Sequence, residues 1–306
     1  MDNDRLLVGV DIGGTATRFV SLDASGQVKG KLVKATPRSL GAPEALQYLF
    51  DGIDTVLGNF RPEVIGVGAS GPIGLNGIIQ NPATLPVFSG MELIQPLHQR
   101  YQVTCIIEND AVTAAYGENS IGASAGFSSA LMITLGTGIG VCMLVEGKPI
   151  RGSDGIHPES GHMGVDQADA PCYCGKKVCW EQVASRTSLQ RKASMLYPNT
   201  ADGISSIRHA HDEALRGDPM ALGLFRDYGI GISAGLINLL TIYRPPCVVI
   251  GGAGSQYFEL YVEALTTALS KNIDVYPEFK LLSASLADFG GAIGAAMLAN
   301  EQLKNL

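Results

Sequence analysis

The sequence is short of charge, of aromatic residues and of long apolar runs. Charged residues make up 17% and aromatic residues 7% of the 306 positions, and the net charge is −7. Because an acidic chain offers no large positive field, we expect no nucleic-acid partner. No apolar run is long enough to span a bilayer and the first residues do not resemble a secretory signal, so we expect a cytoplasmic protein with no membrane partner.

Two strand-rich modules follow one another along the chain. Each has a strand, a glycine turn and a second strand, over residues 6–22 and again over residues 130–145. Further strands are expected at 28–33, 64–69 and 247–250, and helices at 43–57, 219–243 and 292–303. With 46% hydrophobic residues the chain can fill two cores. We predict an α/β fold with mixed sheets and two domains, 1–117 joined by the C-terminal helix 291–306, and 118–290.

Both glycine turns are suited to hold phosphate, because missing side chains let backbone N–H groups and threonine hydroxyls approach its oxygens. The candidate residues are Asp11, Gly13, Gly14 and Thr15 in the first turn and Thr137 and Gly138 in the second. Asp11 is suited to hold Mg²⁺ through water. A single turn of this kind is explained more simply as an ordinary hairpin than as a phosphate-binding turn. Neither turn matches a Walker A sequence or a dinucleotide-binding fingerprint.

A third glycine segment, residues 251–254, follows a predicted strand and precedes a helix. Gly252 in this segment is a candidate to pack against the adenine and ribose of a nucleotide. Ordinary helix-start geometry explains the segment nearly as well. The interpretation therefore depends on the other two turns.

Three of the six cysteines fall within eight positions, which calls for a chemical reason. Cys172, Cys174 and Cys179 follow His162 with the spacing H-x9-C-x-C-x4-C. Three thiolates and one imidazole form a closed tetrahedral set for Zn²⁺, and four protein ligands make that zinc structural rather than catalytic. The alternative is three buried thiols that happen to be neighbours.

Taken in order, these motifs resemble the ROK family of bacterial sugar kinases and related repressors. The chain matches the family's DxGGT turn at 11–15, its E-N-D-A segment at 108–111, its LGTGxG turn at 135–140, its ExGH motif at 159–162 and its cysteine motif at 172–181. The resemblance implies a two-domain actin-like (ribonuclease H-like) ATPase fold with the active site in the interdomain cleft. It also implies a homodimer.

The resemblance further implies ATP-dependent phosphorylation of a hexose with Asp110 as the catalytic base. The residues implied to bind the sugar hydroxyls are Asn109, Glu159, His162 and Glu181. Taken alone, Asn109 and Asp110 are equally good helix caps before residue 111. The rival function is a sugar-sensing repressor, which we disfavour because no DNA-binding module precedes the first strand.

Three positions depart from the family's pattern. Val178 stands where glycine is usual, Trp180 where leucine is usual, and Thr84 where a sugar-contacting asparagine is expected. Asn81, three residues upstream, is the candidate to replace that asparagine, so the identity of the sugar stays open. His157, two residues before Glu159, is more consistent with a surface turn than with a pocket wall.

Overall fold

A computed structural model describes residues 5–166, 170–271 and 278–304. The chain divides into two compact units. The first consists of Met1–Met132, Cys142–Pro158 and Ala284–Leu306, and the second of Ile133–Val141 and Glu159–Ser283. The C-terminal helix thus lies in the first unit, although residues 305 and 306 of the expected helix lie outside the described residues. The domain bounds expected from the sequence remain a prediction.

Ten strands and nine α-helices occur in the described ranges. The strands are β1 (Arg5–Ile12), β2 (Ala16–Leu22), β3 (Val28–Ala35), β4 (Arg61–Ala69), β5 (Thr104–Asn109), β6 (Ala130–Leu135), β7 (Ile139–Val145), β8 (Lys148–Pro149), β9 (Cys247–Gly251) and β10 (Lys280–Ser283). The helices are α1 (Ala42–Leu57), α2 (Ile94–Tyr101), α3 (Asp110–Ile121), α4 (Glu181–Ala184), α5 (Arg186–Leu196), α6 (Gly203–Leu215), α7 (Pro219–Tyr243), α8 (Phe258–Ser270) and α9 (Gly290–Lys304). The strands and helices expected from the sequence are confirmed.

The first sheet has the strand order β3-β2-β1-β4-β5. Strand β2 is antiparallel to β1 and β3, whereas β4 is parallel to β1 and β5. The parallel strands end level with one another, since Ile12 pairs with Ala69 and Ala69 pairs with Asn109. Residues that follow these carboxyl ends therefore lie close together, which is where open α/β sheets bind ligands.

Helix α9 packs directly on the first sheet, because glycines leave room for the two backbones to meet. A Cβ on Gly9 in β1 would lie 1.8 Å from the carbonyl oxygen of Ala292 in α9. Helix α3 meets α9 equally closely, since a Cβ on Gly294 would lie 1.6 Å from the carbonyl oxygen of Thr113. The start of α3 is thus held rigidly against the sheet.

The second sheet has the strand order β10-β9-β6-β7-β8. The division between the units falls within β6 and β7, after Met132 and before Cys142. In the second unit, Trp180 is fully buried against α7. Its indole N–H donates to the carbonyl of Gly231 at 2.9 Å, and a Cβ on Gly235 would collide with its ring. The glycines of α7 therefore accommodate the tryptophan that stands where leucine is usual.

None of the helices in the described part of the chain is long and apolar enough to cross a membrane.

Candidate active site

The Asp110 carboxylate lies in the first turn of α3, directly after β5. Its Oδ2 accepts a hydrogen bond from the Ser70 hydroxyl at 2.6 Å. Its Oδ1 accepts from the Ala111 N–H at 2.9 Å and from the Asn109 amide at 3.1 Å. Burial raises the pKa of Asp110 because the charged form loses hydration, and these hydrogen bonds act in the opposite direction. The site thus holds a fixed carboxylate that takes up a proton more readily than one in water.

Asn109 is the N-cap of α3 and is only 2% exposed. Its Oδ1 accepts hydrogen bonds from the N–H groups of Ala111 at 2.8 Å and Val112 at 3.3 Å. Its Nδ2 donates to the Gly71 carbonyl and to Asp110 Oδ1, both at 3.1 Å. Of the two candidate caps in the sequence, Asn109 is therefore the cap, and Asp110 is the first helical residue.

The Asp11 carboxylate lies near the end of β1, beside the first glycine turn. It is opposite Arg18 on β2, and a Cβ on Gly291 would lie 2.9 Å from its Oδ2. Burial, and then the charge of Asp110, raise the pKa of Asp11 to about 7, while the charge of Arg18 acts against this. A divalent cation at this position would relieve an unfavourable negative charge, so the residues present fit Mg²⁺.

The first glycine turn joins β1 to β2, and its Gly13 and Gly14 are half-buried. The Gly13 N–H donates to the carbonyl of Ala16 at 3.1 Å. A Cβ on Gly14 would lie 2.5 Å from Cγ2 of Thr84, so this turn packs on the segment that carries Thr84. Thr15 is exposed. A turn without side chains at two positions is a suitable cradle for phosphate oxygens.

Asn81 connects that segment to the loop that follows β4. Its Nδ2 donates to the Ser70 carbonyl at 3.0 Å, and its Oδ1 accepts from the Thr84 N–H at 3.2 Å. Its own N–H donates to the Ser89 hydroxyl at 3.0 Å. The first unit therefore brings together the predicted residues Asp11, Gly13, Gly14, Thr15, Asn81, Asn109 and Asp110 at the carboxyl ends of β1, β4 and β5.

The second unit contains the other two glycine segments, at the ends of the neighbouring strands β6 and β9. The Gly254 N–H donates to the Leu135 carbonyl at 2.8 Å. Gly252 has a φ of +74° and a Cβ there would lie 2.7 Å from the Leu135 nitrogen, so only glycine fits without strain. Thr137 is exposed at the tip of the other turn. The structure thus places Thr137, Gly138 and Gly252 at one edge of the second sheet.

The buried carboxylate of Glu181 lies beneath the second glycine turn and is 4% exposed as a residue. A Cβ on Gly138 would lie 2.5 Å from Glu181 Oε2. Glu181 Oε1 accepts a hydrogen bond from the Cys172 thiol at 3.0 Å and lies 3.6 Å from Nδ1 of His162. Glu181 therefore connects the glycine turn to the cysteine cluster.

The cluster of His162, Cys172, Cys174 and Cys179 brings together four side chains that could hold a metal ion. The four ligand atoms all lie within 4.8 Å of one another. The sulfurs of Cys174 and Cys179 are 3.5 Å apart, as are Cys172 Sγ and His162 Nδ1. Zinc–ligand bonds of about 2.0–2.3 Å place tetrahedral ligands roughly 3.5–3.8 Å apart. The donor set and its spacing therefore fit Zn²⁺, with Nδ1 as the histidine ligand.

The remaining nitrogen of His162 contacts a residue that the sequence did not indicate. Nε2 lies 3.2 Å from the hydroxyl of Tyr173, whose ring is in edge contact with the imidazole. Glu159 precedes the 3-10 turn Ser160–His162, and its carbonyl accepts from the His162 N–H at 3.1 Å. Glu159 is exposed, so its carboxylate is accessible to a ligand.

His157 is buried in the first unit, and the expectation of a surface turn is wrong. It is 5% exposed, and this burial lowers its pKa to about 4. The charges of Glu108 and Arg151 act on it with opposite signs and less strongly. Glu108 and Arg151 form an ion pair with each other. Its position in the sequence suggested exposure, but the charge of Glu108, a β5 residue far away in sequence, acts on His157, so its surroundings include parts of the chain that local sequence does not indicate.

Ser70, like Tyr173, is a contact residue that sequence reasoning missed. It belongs to no motif, yet its hydroxyl bonds Asp110 and its carbonyl bonds Asn81. The available signal was its position as the first residue after a buried strand. The pairing of Ala69 with Asn109, which brings Ser70 beside Asp110, could not be predicted from the sequence.

Two mixed sheets, glycine turns at their strand ends and a buried carboxylate after β5 define a phosphotransferase of the actin-like ATPase class, which confirms the predicted fold class. The chain belongs to the ROK family, whose model matches residues 7–302.

Relatives of known function match nearly the whole chain. A glucokinase of Thermotoga maritima is 29% identical over 97% of this chain and 98% of its own length. The crystal structure of a ROK family glucokinase from Streptomyces griseus, in complex with glucose and AMPPNP, has a TM-score of 0.84 and 30% identity, covering 97% of this chain and 99% of that one. A ROK hexokinase structure from Thermus thermophilus has a TM-score of 0.80 and 28% identity, covering 98% and 100%.

Proposed function

We propose that the protein is an ATP-dependent hexose kinase in which Asp110 is the general base. Relatives named glucokinase and hexokinase match it over almost their full length. The observation that carries the assignment of the base is the buried Asp110 carboxylate, held by three hydrogen bonds and with its pKa raised by burial.

In the proposed reaction, Asp110 takes the proton from a sugar hydroxyl as that oxygen attacks the γ-phosphorus of ATP. The new bond joins the sugar oxygen to phosphorus, the bond from the γ-phosphorus to the bridging oxygen breaks, and ADP leaves. A sugar hydroxyl is a poor nucleophile, so a base within hydrogen-bond reach accelerates the transfer.

The glycine turns supply the nucleotide contacts in this proposal. Backbone N–H groups of Gly14 and Gly138, with the hydroxyls of Thr15 and Thr137, bind phosphate oxygens. Gly13, whose N–H closes the turn on Ala16, lets phosphate approach because it has no side chain, and the segment at Gly252 packs against the nucleoside. Asp11 holds Mg²⁺ through water. Bound Mg²⁺ supplies positive charge to the transferring phosphoryl group.

The sugar is bound by hydroxyl-specific polar groups. The sugar hydroxyls are bound by Asn81, by Glu159 and Glu181, and by Nε2 of His162, the nitrogen that is not a zinc ligand. Asn109 already uses both amide hydrogens within the protein, so a sugar hydroxyl replaces the Gly71 carbonyl as one of its partners. The Tyr173 hydroxyl must likewise leave His162 Nε2 or share it.

Zn²⁺ has a structural role in this proposal. Bound by His162, Cys172, Cys174 and Cys179, it fixes the loop that ends at Glu181 and sets the orientation of the histidine ring. Family resemblance supports a homodimer, and we propose a cytoplasmic location. Sedimentation of the purified protein at several concentrations tests the dimer.

A coupled assay of ADP release tests the proposed function. The purified protein is screened with ATP and Mg²⁺ against a panel of hexoses and N-acetylated hexosamines, with the same mixtures lacking sugar as controls. A hexose kinase singles out a few sugars and releases ADP with them. Specific sugar binding without ADP release from any member would instead favour the sugar-sensing repressor.

A further inference from the structure

Ser70 is bonded through its amide, its carbonyl and its hydroxyl, each to a different part of the first unit. Its N–H donates to the carbonyl of Ile12, the residue after Asp11, at 3.3 Å. Its carbonyl accepts from Asn81 Nδ2 at 3.0 Å. Its hydroxyl donates to Asp110 Oδ2 at 2.6 Å. One residue therefore connects the end of β1, the segment of Asn81 and the carboxylate at the start of α3.

Within the described residues, the hydrogen bonds of normal geometry to Asp110 leave one acceptor position open, and the N–H of Asp110 itself acts on the carboxylate less strongly than these three donors. A carboxylate has about four lone-pair positions, two on each oxygen. Oδ1 accepts two N–H groups, from Ala111 and Asn109, and Oδ2 accepts the Ser70 hydroxyl. The remaining position is the second lone pair of Oδ2, the same oxygen that Ser70 holds.

We infer that Ser70 is a positioning residue for the reaction, because its hydroxyl holds Oδ2 of the Asp110 carboxylate on the side opposite the two donors to Oδ1 and leaves one lone pair of Oδ2 to receive the proton of the sugar. The inference rests on the proposed function, in which Asp110 is the base. Rotation of the carboxylate about χ2 would move both oxygens and that lone pair. The two donors to Oδ1 and the Ser70 hydroxyl on Oδ2 resist this rotation from opposite sides of the group. A short hydrogen bond to a charged oxygen is strong enough to do so.

The Ser70 hydroxyl also favours the charged form of Asp110. Burial raises the pKa of Asp110, and the hydrogen bond from Ser70 is the first of the contributions that lower it. The charged neighbours in the sheet are Asp11 on β1, whose own pKa the charge of Asp110 raises, and Arg18 on β2, which acts on Asp11 with the opposite sign. Loss of the hydroxyl therefore raises the pKa of Asp110 further, and a base that must be ionised is then inactive up to a higher pH.

The test is a double-mutant cycle with Ser70→Ala and Asp110→Asn, followed by the pH dependence of kcat. Ser70→Ala is expected to lower the pH-independent kcat roughly 10- to 100-fold, since hydrogen bonds to charged groups are worth that factor. Its acid limb is expected to move up by about one pH unit. In the Asp110→Asn background, which lacks the base, the same substitution is expected to change kcat less than about threefold.

Ser89→Ala is the matched control, since the Ser89 hydroxyl accepts the Asn81 N–H in the same region and does not bond Asp110. It is expected to leave the acid limb in place. Ser70→Thr keeps the hydroxyl and is expected to restore the limb, and Ser70→Cys, with a weaker donor, should shift it in the same direction as alanine if the alanine variant does not fold. Equal losses from Ser70→Ala in both backgrounds, with an unshifted limb, would overturn the inference. Full activity of Asp110→Asn would instead overturn the assigned base.

Discussion

The buried carboxylate of Asp11 should make the stability of the protein depend on pH. The pKa of Asp11 is about 7 in the folded protein against an ordinary value of 3.8. Between these values the folded protein binds a proton that the unfolded chain has lost. This stabilisation is complete below about pH 4 and is lost as the pH rises through about 7. The contribution of Asp11 to the free energy of unfolding of the ligand-free protein is therefore larger at mildly acidic pH than at neutral pH.

Asp11→Asn should stabilise the metal-free protein, and the gain should grow from pH 5 to pH 8. The amide is neutral at every pH, so the variant avoids the cost of ionising a buried carboxylate. A rise of about three pKa units corresponds to a cost on the order of 4 kcal/mol at pH 8. Urea unfolding at several pH values measures the difference from wild type. A difference that is independent of pH would contradict the raised pKa of Asp11.

His157 makes the stability depend on pH in the opposite direction. Its pKa is about 4 in the folded protein against 6.5, so stability falls as the pH drops below 6.5 and the unfolded chain takes up protons. Comparing wild type with Asp11→Asn at each pH cancels this contribution, because both proteins contain His157.

Cys174→Ser should remove bound metal and lower thermal stability. Purified wild type should contain about one zinc per chain, and the variant much less, because a serine hydroxyl is a poor replacement for a thiolate. Metal analysis and thermal unfolding measure both effects. Cys105→Ser, the same substitution outside the cluster, is the control and should keep the full zinc content. Full zinc in Cys174→Ser would show that the cluster is three neighbouring thiols.

At the scale of elements, the second glycine turn packs against Glu181, the first residue of α4. A Cβ on Gly138 would lie 2.5 Å from the Glu181 carboxylate, whereas within the described residues no heavy atom lies within 4 Å of a Cβ on Gly136. Gly138→Ala should therefore raise the KM for the sugar as well as for ATP, because it displaces Glu181. Gly136→Ala should leave the KM for the sugar within about twofold. Steady-state kinetics with both substrates measures the two KM values. An unchanged KM for the sugar in Gly138→Ala would contradict the proposed role of Glu181 in sugar binding.

The contact of α3 with α9 gives a second pair of variants. Gly294→Ala would place a Cβ 1.6 Å from the Thr113 carbonyl oxygen and should destabilise the protein by about 1–3 kcal/mol or more. Gly223→Ala in α7 meets nothing closer than Arg226 at 4.0 Å, and should stabilise by roughly 0.5–1 kcal/mol because alanine loses less backbone entropy. Urea unfolding should give opposite signs. Equal changes in the free energy of unfolding for the two variants would show that the space around each glycine does not determine the effect of alanine.

The elements themselves were largely predictable, and their contacts were not. Apolar runs bounded by glycine located β1, β2, β4 and β6, and helical periodicity located α1 and α7. Strand β5 was missed, because its short apolar run has no alternation and ends in the polar residues of the E-N-D-A motif. Ser70 was missed for a related reason, since its contacts depend on the pairing of β4 with β5, which no local pattern specifies.

At the scale of the whole molecule, the order of the motifs was more informative than any one of them. A glycine turn, a cap-like Asn-Asp pair and a cysteine cluster each have an ordinary explanation. In sequence they indicate one family, and the family model covers residues 7–302. The structure adds the physical state of the residues, such as the cap at Asn109 and the hydrogen bonds of Asp110. These properties depend on burial, which sequence patterns report poorly.

The turnover of Asp110→Asn, with the hexose identified by the panel, tests the central claim most directly. The amide oxygen of asparagine can accept the hydrogen bond from the Ala111 N–H, and its amide nitrogen, in the place of Oδ2, can donate to the Ser70 hydroxyl. The cap at Asn109 is untouched, so folding and sugar affinity should change little. Asparagine cannot take the proton, so kcat should fall by about 10²–10⁴-fold. Calorimetric titration of the sugar and thermal unfolding serve as controls. A kcat within about threefold of wild type, with normal sugar binding, would contradict the account and leave Glu159 or Glu181 as the next candidate base.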